Sequence, residues 1–109
     1  MTGKERAKPA GGDDWVVVLE DAEARTLATR YLAQRRLALT DLKRALAAGD
    51  YETLWIAGHH MHGAGGSYGV ERISQLGAAL EFSAFARDPS AVGERLDELE
   101  TFLERVELV

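Results

Sequence analysis

The chain has 109 residues, 46% hydrophobic and 28% charged, with thirteen basic and eighteen acidic side chains and a net charge of −5. That length suits one domain, able to bury roughly 65% of the surface its unfolded chain exposes, and its negative field repels a phosphate backbone, which argues against nucleic acid as a partner. No cysteine is present for a disulfide or a thiolate metal site, and no run nears the ~20 apolar residues of a membrane span, so the expected location is the reducing cytoplasm.

The opening "MTGKERAKPAGGDD", residues 1–14, is polar, contains Pro9 and the pair Gly11-Gly12, and has no large apolar anchor. It is expected to be a disordered tail, and its basic residues precede no apolar segment of the secretory kind. "WVVVL", from Trp15, is short and β-branched; it reads as an extended segment that could meet the terminal "VELV". From Asp21, a candidate N-cap, Leu27, Tyr31, Leu32, Ala38, Leu39, Leu42 and Leu46 recur at helical spacing and predict a long first helix. Gly49 then takes a C′ position and Asp50 the next N-cap, a tight link into a second helix that starts at Tyr51 and carries the histidines.

Beyond the glycines, Val70, Ile73, Leu76, Gly77, Leu80 and Ala84 form one apolar stripe that ends at "RDPS". Asp88 caps a fourth helix, with Pro89 in its first turn and Val92, Leu96, Leu99, Leu103 and Val106 as its seam. Four amphipathic helices with short links bury their stripes only against one another. The expected fold is all-α, an up-and-down antiparallel four-helix bundle over residues 15–109, with the short extended segment before its first helix.

"GHHMHGAGGSYG", Gly58 to Gly69, places three histidines in four residues and then a cluster of glycines. On a helical wheel Leu54, Ala57, Met61, Ala64 and Gly65 face the core, whereas Glu52, Trp55, Ile56, His62, Gly63 and Gly66 surround an outward His59. Glycine inside a helix costs about 0.8–1 kcal/mol relative to alanine, and bare backbone beside a ring is a reason to bear it, since it admits a bulky reacting group. Gly65, on the core side, suits close helix packing instead. An exposed neutral imidazole is nucleophilic and forms a phosphoramidate with an activated phosphoryl group. His62, one turn on, is placed to donate to the developing charge, and Trp55 with Ile56 makes an apolar rim for a docking protein.

"HHMHGAGGSYG" followed by "ISQLGAALE" resembles the histidine-containing phosphotransfer (HPt) family, whose signature is roughly H-x-x-K-G, a later glycine and a downstream Leu-Glu. The resemblance makes His59 the phosphoacceptor, Gly63 the motif glycine that clears space, Gly69 the later glycine and Leu80-Glu81 part of the following helix. His62 stands where the family has lysine. That substitution keeps a donor but loses most of the fixed positive charge at neutral pH, so phosphoryl stabilisation is expected to be weaker or more pH-dependent.

The resemblance implies a phosphorelay carrier without self-contained catalysis. Its partners would be a response-regulator receiver domain, a hybrid histidine kinase or both, docking around Trp55, Ile56 and Gly66. It would have no cofactor of its own, Mg²⁺ would belong to the receiver, and a monomer is expected. Two alternatives accompany it: a degenerate docking adaptor that works without phosphorylation, and a metal-binding bundle in which His59 and His62 recruit Glu81 or another carboxylate. Tyr68, Phe82 and Phe85 are expected to pack in the core. Arg30, Arg35, Arg36, Lys43 and Arg44 are expected to form a solvated face.

Overall fold

The helices of the computed structural model, which describes residues 15–109, begin and end at the residues that cap them. The tail expected over residues 1–14 lies outside the described residues. Helix α1 spans Ala22–Ala48, α2 Tyr51–Ala64, α3 Glu71–Phe85 and α4 Pro89–Arg105. The Asp21 carboxylate accepts from the Glu23 amide, Asp50 from the Thr53 amide and hydroxyl, and Asp88 from the Ala91 amide, satisfying N–H groups that a helix start otherwise leaves open. Gly49 ends α1 at φ 70°, a left-handed conformation that glycine adopts without strain. The chain therefore reverses directly into α2.

Each helix buries one face against its neighbours, α2 on α3, α3 on α4, and α4 back on α1. Leu32, Leu39 and Leu42 of α1, Leu54 and Met61 of α2, Ile73, Leu76 and Leu80 of α3, and Val92, Leu96, Leu99, Phe102 and Leu103 of α4 are buried together. Each large side chain of this kind contributes about 1.5–3 kcal/mol through burial. The result is the expected four-helix bundle, with the predicted stripes of α3 and α4 in its core.

The extended segment also forms. Strand β1, Val16–Val17, pairs in parallel with β2, Glu107–Leu108, and the pairing continues through the Leu19 amide to the Val109 carbonyl at 2.8 Å. Arg105 covers the Trp15 ring at 4.6 Å. So short a ladder is marginal alone; here half-buried Val17 and Leu108 pack against the bundle core.

Three expectations are corrected. Phe82 and Phe85 are not core residues: they are 76% and 77% exposed, because Phe82 lies about 200° around the helix from buried Leu80 and Phe85 about 100° from buried Ala84. Tyr68 is also exposed and stacks on buried Tyr31 with ring centroids 4.4 Å apart. The basic residues of α1 are not simply solvated. Arg36 donates twice to the Leu103 carbonyl at the end of α4, Lys43 pairs with Glu100 at 2.9 Å, and Arg35 lies over the Tyr31 ring.

Candidate functional site

Helices α2 and α3 meet at two glycines. A Cβ on Gly58 would stand 2.5 Å from the Glu81 amide nitrogen and 2.8 Å from the Gly77 carbonyl oxygen, and one on Gly77 would stand 2.5 Å from the His62 amide nitrogen. The obstacles are backbone atoms and, at Gly77, the Met61 Cβ, none of which has a rotamer to yield, so only hydrogen fits at either position. Gly65 prolongs this contact against the Ser74 backbone, and the Ser74 hydroxyl donates to the His62 carbonyl at 2.6 Å.

The close crossing brings Glu81 of α3 beneath two histidines of α2. His59 Nδ1 lies 3.0 Å from Glu81 Oε2, and His62 Nδ1 lies 3.2 Å from Glu81 Oε1. A carboxylate only accepts, so each ring nitrogen facing it carries the hydrogen and donates. When neutral, each ring thus keeps its other nitrogen, Nε2, with a lone pair. The rings are 59% and 54% exposed, the carboxylate 22%. The hydrogen bond from His59 is the main cause holding the Glu81 carboxyl below its ordinary range; desolvation opposes it, and the His62 bond reinforces it.

Trp55 stacks on the outward His59 at 5.3 Å between centroids and 8° from parallel, fixing the plane of the ring. A Cβ at Gly63 would have nothing within 4 Å, so the space beside the histidines is open. Gly66 lies just past the end of the helix and is exposed. Helix α2 stops at Ala64, and Gly66 opens a 3-10 turn over Gly66–Tyr68, where its Cβ position faces the Glu71 carboxylate at 3.3 Å. His60 is exposed, its ring tilted by 50° from that of His59.

Beside the histidines runs a groove of about 340 Å³ lined by Trp55, His62, Ala78, Glu81, Phe82 and Phe85. A second hollow of about 260 Å³ adjoins it through Trp55 and Phe85 and reaches Tyr51 and Arg87. Ile56 is exposed but lines neither. In the sequence Glu81 has only a motif register or a place in a metal shell; its joint contact with both imidazoles depends on the Gly58–Gly77 crossing, whose sequence trace is one glycine inside each helix. Nor is the metal arrangement present. The carboxylate takes hydrogen bonds from both rings, and among the described residues no group of three His, Cys, Asp or Glu is placed to hold a metal ion.

Among the described residues no helix is long and apolar enough to cross a membrane. Neither the curated proteins nor the solved structures yield a match. A protein-family model, the Hpt domain, matches residues 18–108, nearly the whole described chain. Hpt domains are phosphocarrier modules of phosphorelays that interact with receivers and kinases, and on that match the chain belongs to the Hpt domain family.

Proposed function

We propose that the chain is a cytoplasmic phosphorelay carrier in which His59 Nε2 accepts a phosphoryl group from the aspartyl phosphate of a receiver domain and returns it to one. The observation that carries this is the hydrogen bond from His59 Nδ1 to Glu81 on an exposed, Trp55-stacked ring. It leaves Nε2 as the nucleophile and holds it outward. In the forward step the Nε2 lone pair attacks phosphorus, the P–O bond to the receiver aspartate breaks, and the aspartate leaves as a carboxylate. The ring becomes a phosphoimidazolium whose Nδ1–H still points at the Glu81 carboxylate, which stabilises the new positive charge as it forms. The return step reverses these movements, with Mg²⁺ supplied by the receiver.

Gly63 admits the incoming acyl phosphate. His62 assists a phosphoryl group on His59 only as the imidazolium, since its Nδ1 hydrogen is committed to Glu81 and a neutral ring turns a lone pair outward. Receiver docking falls on Trp55 together with Phe82 and Phe85, whose exposure forms an apolar border to the groove at the histidines. Exposed Ile56 and the bare backbone at Gly66 extend the surface. Incubation with a phosphorylated receiver is expected to give an acid-labile, base-stable label that maps to His59 and is largely lost in His59→Gln. Receiver-derived label undiminished in that variant places the acceptor elsewhere.

A further inference from the structure

We infer that His62 is a second phosphoacceptor, built on the same carboxylate as His59 and opening onto the neighbouring groove. The inference extends the phosphocarrier function to another nitrogen and rests on it for its biological use. The two residues are three apart on α2 and so share a face. Their rings have nearly equal exposure, each donates from Nδ1 to a different oxygen of Glu81, and each retains an unprotonated Nε2 when neutral. Whatever Glu81 does for the nucleophilicity of one ring it does for the other.

Their surroundings differ in a way that favours small donors at His62. His59 is stacked beneath Trp55, whereas His62 itself lines the groove of about 340 Å³ alongside Ala78, Phe82 and Phe85. The adjoining Gly63 presents no side chain. His60 provides an internal reference: it is exposed too, yet it makes no hydrogen bond to a carboxylate among the described residues. With phosphoramidate as donor, His62 Nε2 attacks phosphorus, the P–N bond of the donor breaks, and ammonia leaves with the electron pair. The resulting phosphoimidazolium keeps its Nδ1–H on Glu81. Nucleophile and cationic donor are mutually exclusive states of His62, separated by one proton on Nε2.

The test treats the full chain, as wild type, His59→Gln, His62→Gln and the double variant, with phosphoramidate and, separately, with a phosphorylated receiver. Labelled sites are followed by phosphorus NMR and peptide fragmentation. In the phosphoramidate arm His59→Gln is expected to label at His62 about tenfold or more faster than at His60, an advantage removed by adding Glu81→Gln. Labelling of His62 no faster than that of His60, or a rate indifferent to Glu81, overturns the inference while leaving His59 as the carrier. Failure of the receiver to label His59 in the wild type overturns the carrier function instead, and the phosphoramidate arm still decides the chemistry of His62.

Discussion

The α1–α4 and α2–α3 sides of the bundle are held together by opposite means. Between α1 and α4 the contact is made by large side chains, among them Leu32, Leu39, Leu96, Leu99, Phe102 and Leu103, all buried. Between α2 and α3 it is made at Gly58 and Gly77 by backbone against backbone. Leucines fill volume and set a helix separation that tolerates small adjustments. Glycines set a closer one, and that closeness lets a carboxylate on α3 reach two imidazoles on α2. One side supplies cohesion; the other fixes the position of reactive atoms.

The largest effects break this contrast outright. Phe102→Ala is expected to cost about 3–5 kcal/mol in chemical denaturation, as a large ring leaves a cavity in the leucine side. Yet folded protein at low temperature should keep the His59–Glu81 bond, seen as an unchanged imidazole tautomer in nitrogen NMR. Gly58→Ala inverts the pattern. Its methyl meets α3 backbone, the helices must part, and a cost of about 1–3 kcal/mol from overpacking comes with loss of that tautomer signature. Equal damage to the site from both substitutions would show that the glycine crossing has no special hold on it.

The next effect lies on the glycine side alone. Glu81→Gln is expected to slow phosphoryl uptake by roughly 10- to 100-fold, by analogy with the loss of a carboxylate that orients a metal-bound histidine, with little change in unfolding. Acid provides the reversible version. The Glu81 carboxyl is held below its ordinary value of 4.5, first by the His59 hydrogen bond. A depressed carboxyl contributes stability that is fully present above the ordinary value and is lost as pH falls through the depressed one. The bridge should therefore survive at and above pH 4.5 and break only below it, which a carbon NMR titration of the Glu81 carboxyl checks.

How much of this was legible in the residues follows the same division. The leucine side is periodic, and its caps are local: Asp21, Gly49, Asp50, Asp88 and Pro89 act on neighbours within a few positions, so helix order and ends could be read directly. His59 stood out because glycines beside a histidine conflict with helix propensity. Glu81 did not, since its role needs the distance between two helices, and single-helix periodicity carries no such information. The size of Phe82 and Phe85 suggests burial, but the phase of the Ile73–Ala84 stripe turns both outward. The double substitution Phe82→Ala, Phe85→Ala sharpens that correction. It should change stability by less than about 0.5 kcal/mol, as for surface positions, and raise the KM for a phosphorylated receiver while leaving phosphoramidate labelling of His59 unchanged. A large loss of stability would return both rings to the core.

The smallest expected effect separates the two kinds of glycine within α2. Gly58 has no room for a methyl group, whereas Gly63 has nothing within 4 Å of its Cβ position. Gly63 is also inside α2, where glycine is the poorer helix former, so Gly63→Ala should stabilise the protein by about 0.8–1 kcal/mol if the position serves folding alone. On the proposed function, the same methyl group would stand in the path of a receiver approaching His59. The expected outcome is a higher Tm with slower transfer from the phosphorylated receiver and unaltered labelling by phosphoramidate, a donor small enough to pass. Stabilisation without any change in receiver transfer would assign the open space at Gly63 to no function, and the conflict with helix propensity that first marked this segment would then lose its explanation.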